Sequence, residues 1–348
     1  MKSTKSTVLL LYGGTGCEAD VSEKGAIYLR SLIPSDSYNL IPVFIDKRGG
    51  WFIKEPGNTA PPSPESAITP AIKGGLGGII TSDGFLWADC AFPLLHGDFG
   101  EDGVIQGALA AANIPYVGAD NYLGPLAMDK AYTKIIAESL GVKCAKSVLA
   151  IRGSDLYGMD RAKRIAEETF GYPMFIKPAR LGSSVGASAV LREEDFLRAY
   201  SAADAVCDGR VLIEELVDIA TEAECAVFRV KNKEIITDFG SISCNFGFYD
   251  YEKKYSGESG ASVSDFSDID PRTKGIMREY SSRLTDVLGI RHLARIDFFI
   301  TKKGEVLFNE INTMPGFTCG SLYPKLLERA GIDPSWAVSQ MIEDARGS

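Results

Sequence analysis

The stretch that most constrains this chain lies between residues 293 and 312, where two apolar-rich runs of strand length flank Lys303-Gly304 and read as a tight β-hairpin. With a two-residue turn, Asp297 faces Glu310 and Arg295 faces Asn312. All four side chains then share one face, because strand side chains alternate with period two. Opposed carboxylates with Cβ atoms roughly 5 Å apart repel one another unless positive charge lies between them, and a divalent cation meets that need. Oxygen donors from Asp297, Glu310 and Asn312 suit Mg2+, or Mn2+, better than zinc, and Mg2+ is completed by waters and substrate phosphates. The plainer alternative is a hairpin whose polar face is merely wet. Phe298, Phe299, Val306, Phe308 and Ile311 argue against it, since they imply strands covered on both faces, and buried carboxylates need partners. A three-residue turn would oppose Asp297 to Asn309 and break the proposed site.

Length and charge set the frame for that hairpin. A chain of 348 residues can bury a large core and suggests two or three domains. Its 37 Lys+Arg against 46 Asp+Glu leave a net charge of −9 with no basic block, which argues against a general nucleic-acid surface. The apolar run at residues 8–12 is too short for a signal-peptide core, and no stretch is apolar enough to span a membrane. Seven scattered cysteines without a C-x-x-C pair read as reduced thiols, so a cytoplasmic setting is expected.

The run at 8–12 ends in Gly13-Gly14, as a parallel strand covered on both faces would. Further strands are expected at 38–46, 91–95 and 114–117, with helices between them, which predicts an α/β alternation around a parallel sheet. Residues 56–70 read as a surface loop. A helix over 130–140 stops at Gly141. Strands at 147–151, 174–177 and 187–191 alternate with helices, and strands at 211–216, 222–230 and 234–241 look antiparallel. Pro271 opens a helix to Leu288, the hairpin follows, and two helices finish the chain. The expected division is 1–125, an N-terminal α/β domain; 126–214; and 215–348. The long irregular stretch 243–267 is too aromatic for a linker and reads as a mobile lid.

Three motifs carry chemistry. A strand delivers Lys177 into the Gly- and Ser-rich loop 180–186, where backbone N–H groups, hydroxyls and the ammonium can hold phosphate oxygens without a Walker-type P-loop. Glu214, Glu215 and Val217 end a strand where an adenine edge can be met, and Glu222 can reach ribose hydroxyls; taken singly, these are ordinary surface acids. His96 opens a Gly-rich acidic turn at the carboxyl end of a buried strand, where open α/β sheets put their ligands. A turn that simply needs glycines explains much of the same pattern, and His292 reads as structural. The glycines at 13, 14 and 16 with Asp46 raise a Rossmann alternative, but the spacing is not G-x-G-x-x-G.

Together these segments resemble the D-alanine:D-alanine ligase family of ATP-grasp enzymes over nearly the whole chain. The motifs are collinear: 18–22, 96–103, Met128-Asp129-Lys130, 176–186, 249–255, Arg295-Ile296-Asp297 and 309–312 leading to Pro315, Gly316, Ser321 and Leu322. The resemblance implies an ATP-grasp fold, α/β and α+β, with ATP between the second and third parts. It implies that Lys130 and Lys177 grip phosphates, that Glu214, Glu215 and Val217 meet adenine, that Glu222 holds the ribose, and that Asp297, Glu310 and Asn312 bind two Mg2+ ions. Glu18 would fix the ammonium of the first D-amino acid, with His96 near its carboxylate. Ser183 and Tyr255 would link to Glu18, Lys254 would belong to the lid, and Ser321 and Leu322 would orient the second substrate's carboxylate. Arg295 and the Gly316 amide would stabilise the oxyanion.

The implied partners are D-amino acids, ATP and a second copy of the chain in a homodimer, with no nucleic acid and no membrane. At the position of Tyr255 the family pairs Tyr with an amino nucleophile and His with the hydroxyl of D-lactate, so an amine is expected. Ala19 departs from the histidine that many housekeeping members carry between the two acids of the first motif. The chain looks most like the vancomycin-resistance D-alanine:D-serine ligases of the G type, which implies a role in modified peptidoglycan and glycopeptide resistance. The alternatives are a housekeeping D-alanine:D-alanine ligase, a non-catalytic nucleotide-binding protein, and the Rossmann reading.

Overall fold

The computed structural model describes residues 5–182, 185–231, 233–242, 263–264 and 269–347. The first sheet is built on β1 (Ser6–Gly13), whose unbroken apolar run is used by two cores at once. Val8, Leu10 and Tyr12 pack toward α1 (Ala19–Leu32), while Leu9 and Leu11 pack with Ile105 and Leu109 on the opposite side. Alternation along one strand thus feeds two faces, as a doubly covered strand requires. β2 (Tyr38–Ile45) runs parallel to β1; β3 (Trp51–Ile53), β4 (Ala67–Pro70), β5 (Gly78–Thr81) and β6 (Gly84–Trp87) continue the sheet antiparallel. β7 (Cys90–Pro93) closes the other edge, parallel to β1.

Three expectations change here. The expected parallel pairs of β1 with β2 and β7 are present, and short antiparallel strands extend the sheet beyond β2, so that it is mixed as a whole. The expected loop 56–70 contains β4. The expected strand 114–117 is a single bridge from Tyr116 to Ala91, held by two hydrogen bonds, with Pro115 unable to donate a third.

After α2 (Val104–Ala111), α3 (Leu123–Met128) and α4 (Lys130–Ser139) lead into the second sheet. Its strands are β8 (Ser147–Ile151), β9 (Met174–Pro178), β10 (Ser188–Val190) and β11 (Arg210–Glu215), with α5 (Met159–Thr169) and α6 (Phe196–Ala205) against it. The order β10-β9-β11-β8 is antiparallel throughout.

The third sheet uses β12 (Ile219–Val230) and β13 (Lys233–Ile236). Beyond the short pair β14 (Ser241–Ile242) and β15 (Val263–Ser264) comes α7 (Pro271–Leu288), capped by the Asp270 carboxylate at one end and left-handed Gly289 at the other. The hairpin follows as β16 (His292–Thr301) and β17 (Val306–Asn312), then α8 (Leu322–Arg329) and α9 (Pro334–Arg346). One apolar core runs from Val8, Leu10 and Tyr12 through Phe228 to Val338, Met341 and Ile342. Among the described residues no helix is long and apolar enough to cross a membrane.

The hairpin reaches its expected pairing by a different route. The turn has three residues, Lys302 to Gly304, closed by Thr301 N–H to Glu305 O at 2.9 Å, with Gly304 at φ +79°. Ile300 accordingly faces Val306 and Phe298 faces Phe308, one step away from the two-residue register. Asn309 then bulges out of β17 and restores the pairs Asp297–Glu310 and Arg295–Asn312. The two-residue turn was therefore wrong, and the pairing it was meant to produce is present.

Candidate active site

The site grows from one row across the third sheet. Glu224 on β12, Asp297 on β16 and Glu310 on β17 are direct cross-strand neighbours, and Arg295 and Asn312 form part of the next row on the same face. Repulsion along this row is met by the protein's own cations. Arg295 donates to Asp297 through Nε at 2.8 Å and Nη2 at 2.7 Å, and its Nε lies 2.9 Å from Glu224. Asn312 donates to Asp297 at 3.1 Å, and the Lys130 ammonium lies 3.0 Å from Glu310. Burial raises the Asp297 carboxyl against the opposing pull of Arg295. Burial would also raise Glu310, but Lys130 and Lys177 outweigh it and hold that carboxyl down at about 2. An ionised Glu310 beside Asp297 and the Asn312 amide is an oxygen-only donor set that fits Mg2+ or Mn2+.

Lys130 is held in turn by the start of α4. Asp129 caps that helix, accepting from the N–H groups of Ala131 and Tyr132, and receives Arg180 at 2.9 Å and Arg210 at 3.0 Å. The Lys130 ammonium also donates to Leu181 O at 2.9 Å, which ties α4 to the start of the Gly/Ser loop.

A cleft of about 190 Å³ brings Lys130, Arg295, Glu310 and Asn312 together with Glu18, His96 and Gly316. Glu18 stands at the start of α1, and His96 follows the end of β7. The His96 Nδ1 contacts Met314 O at 2.8 Å, while its buried Nε2 has no hydrogen-bond partner among the described residues. Glu101 joins the His96 turn to the loop after β17: one carboxylate oxygen accepts from Thr313 N–H, Thr313 Oγ1 and Met314 N–H, and the other accepts from Gly97 N–H. Ser321 precedes α8; its hydroxyl accepts from Thr318 N–H at 2.9 Å, and a Cβ added at Gly316 would stand 3.1 Å from it. Leu322 sends its side chain into the core, so what it offers a ligand is a backbone N–H in the first turn of α8.

At the base of the second sheet, the buried Glu214 carboxylate pairs with Lys134 at 2.5 Å and Lys177 at 2.8 Å. Burial alone would raise Glu214; the two ammoniums prevail and hold it below the usual carboxylate range. Burial lowers the Lys177 ammonium, against the pull of Glu214. Glu215 accepts from Lys146 N–H at 3.0 Å, Val217 is half-buried beyond β11, and Glu222 shares the β12 face with Glu224. Ser183, Lys254, Tyr255 and, apart from residues 263 and 264, the expected lid 243–267 lie outside the described residues.

Sequence reasoning missed Lys134, Glu224 and the bridging role of Glu101. Two of these left a signal: Lys134 falls one helical turn after Lys130, and Glu224 follows Glu222 by two residues, so both acids fall on one face of β12. The Rossmann alternative fails, since Asp46 accepts from Arg48 and Gly50 N–H within its own turn, and a Cβ on Gly13 would stand 2.4 Å from Ile45 O.

Comparison with known proteins places the chain in a family. Residues 7–119 match the family model for the D-ala D-ala ligase N-terminus, and residues 136–343 match that for the D-ala D-ala ligase C-terminus. A D-alanine–D-alanine ligase of Deinococcus radiodurans is 36% identical over 346 residues, covering 97% of this chain and 98% of that protein. One from Streptococcus agalactiae is 34% identical over 340 residues, with 97% and 95% covered. The VanG D-Ala:D-Ser ligase of Enterococcus faecalis superposes with a TM-score of 0.87 at 28% identity, over 98% of this chain and 100% of that one. D-alanyl-alanine synthetase A of Vibrio cholerae gives 0.85 at 27% identity, over 99% of each chain. The chain belongs to the D-alanine–D-alanine ligase family and is an ATP-dependent ligase that forms a peptide bond.

Proposed function

We propose that this chain joins D-alanine to D-serine through a D-alanyl phosphate, for modified peptidoglycan precursors of the kind that confer glycopeptide resistance. The observation that carries the reading is the shared cleft of Arg295, Lys130, Glu310 and Asn312 with Glu18 and His96. Tyr255 supports an amine as second nucleophile, and serine in particular is supported by Ala19 in place of a histidine and by the fold likeness to a D-Ala:D-Ser ligase. The names of the curated relatives favour D-alanine as second substrate, and that is the second reading.

In the proposed reaction the ammonium of D-alanine rests against Glu18 and its carboxylate lies near His96. A carboxylate oxygen attacks the γ-phosphorus of ATP and ADP leaves. The amino group of the second substrate then attacks the acyl carbon, phosphate leaves, and the amine gives up a proton. Arg295 and the Gly316 N–H stabilise the oxyanion of that step. Lys130 and Lys177 hold the phosphates, Glu214, Glu215 and Val217 meet adenine, and Glu222 binds ribose. Ser321 and the Leu322 N–H orient the second carboxylate. Ser183 and Tyr255 brace Glu18, and Lys254 closes with the lid to keep water from the acyl phosphate. Asp297, Glu310 and Asn312 would hold two Mg2+ ions, which when bound neutralise phosphoryl charge. The same reading retains a homodimer and the division at residues 125 and 214.

ADP release with D-alanine plus D-serine, D-alanine or D-lactate, followed across pH, tests the serine claim; a preference for D-alanine as second substrate rejects it. Asp297→Asn is expected to lower kcat by about a hundredfold or more. Full turnover in that variant would reject the metal assignment.

A further inference from the structure

Three buried charges at the base of the proposed nucleotide site do not balance. Lys134 and Lys177 both pair with the single carboxylate of Glu214, at 2.5 and 2.8 Å, and Lys134 also donates to Ala145 O at 3.3 Å. The trio by itself carries one net positive charge where burial makes unpaired charge costly, and Lys177 alone of the three also acts on the Glu310 carboxylate. Its members differ in access to solvent: the side chains of Lys134 and Glu214 are 3% and 4% exposed, whereas Lys177 retains 10%. Lys130, the other expected phosphate-gripping lysine, is paired with Glu310.

We propose that Lys134 is a positioning residue for nucleotide binding: it neutralises Glu214 from the buried side and so leaves the charge of Lys177 available to the phosphates of ATP. If Lys134 were apolar, Lys177 and Glu214 would form a closed neutral pair. The ammonium would then have to leave its carboxylate before it could meet an anion. With Lys134 in place, Glu214 keeps a partner when Lys177 turns to phosphate. Helical spacing supports the arrangement, since Lys130 and Lys134 are one turn apart on α4 and project from the same face. The inference rests on the assignment of Lys177 to the ATP phosphates.

Binding of three probes to the full chain tests it: ATP and inorganic tripolyphosphate, both with Mg2+, and adenosine. Lys134→Met is expected to weaken ATP and tripolyphosphate about tenfold, the effect of roughly 1.4 kcal/mol, while adenosine affinity and the KM for D-alanine stay at wild-type values. The double variant Lys134→Met/Glu214→Gln removes both buried partners, whose pulls on the Lys177 ammonium oppose each other. It is expected to bind tripolyphosphate as the wild type does, and it decides the matter even if the single variant does not fold. Wild-type tripolyphosphate affinity in Lys134→Met overturns the inference, as does equal loss of adenosine and ATP or a double variant that stays weak. Lys177→Met separates the two levels: unchanged tripolyphosphate affinity there rejects the assignment of Lys177 itself.

Discussion

At Glu101 a single carboxylate accepts four hydrogen bonds, from Gly97 N–H, Thr313 N–H, Thr313 Oγ1 and Met314 N–H. Alanine at this position leaves three backbone donors without their acceptor, each costing about 1–3 kcal/mol where water does not replace it. Glu101→Ala is therefore expected to lose about 2–4 kcal/mol of stability in urea denaturation. It should also raise the KM for D-alanine more than that for ATP, because the turn bearing His96 is no longer tied to the loop leading to Gly316. A variant with wild-type stability and kinetics would show the bridge to be dispensable. Glu101 was visible in sequence as part of a Gly-rich acidic turn, yet nothing local pointed to residues 313 and 314. The spacing of Lys134 from Lys130 was visible too, but its carboxylate partner lies on another element and was not.

The hairpin shows what an element owes to its own sequence and what it owes to packing. Period-two alternation was enough to put Arg295 with Asp297 on one face of β16, and Glu310 with Asn312 on one face of β17. The turn length and the compensating bulge at Asn309 were not legible, because either turn is compatible with Lys303-Gly304 and only the docked strand selects between them. Phe308 N–H donates to Lys143 O at 2.8 Å, so the segment before β8 holds β17 beside the bulge. Gly304 and Gly13 allow a matched test of turn chemistry. Both have positive φ, +79° and +93°, but a Cβ on Gly304 meets nothing within 4 Å, whereas one on Gly13 meets Ile45 O at 2.4 Å. Gly304→Ala should cost about 1 kcal/mol and leave turnover intact. Gly13→Ala should cost about 3 kcal/mol or more, since backbone must move. Equal denaturation midpoints for the two variants would contradict this account.

For the molecule as a whole, His292 is a joint between distant parts of the chain. It is fully buried, its Nδ1 accepts from Gly118 N–H at 2.9 Å, and its Nε2 lies 3.4 Å from Asp344 on α9. Burial, aided by Arg291 and opposed by Asp344, pushes the imidazole from 6.5 down to about 4. Between those values the unfolded chain binds the extra proton, so this contribution to stability is complete above about pH 6.5 and lost as pH falls toward 4. The slope is about 1.4 kcal/mol per pH unit. His292→Asn keeps an acceptor for Gly118 and suits the left-handed backbone at φ +61°. It should flatten the fall in urea midpoint between about pH 6.5 and 4; an unchanged slope would assign the acid sensitivity elsewhere. Mg2+ with ATP at about a hundred times its Kd should add about 2.7 kcal/mol by mass action, and EDTA should remove most of that gain. A thermal midpoint that ignores both would contradict nucleotide binding to the folded chain.

What the sequence determined by itself was local: strand and helix periods, the caps of α7, the face each hairpin strand gives its polar pair, and motifs whose order along the chain identifies the family. Each of these depends on residues a few positions apart, where backbone geometry alone relates one side chain to the next. The tertiary structure decided what depends on packing. It made the first sheet mixed, set the bulge that restores the Asp297–Glu310 pair, placed Glu224 beside Asp297, and left Lys134 and Lys177 to share Glu214. Those outcomes follow from burying charge and backbone polar groups at low dielectric, where partners must be found wherever the fold brings them, and no local period encodes which partners those are.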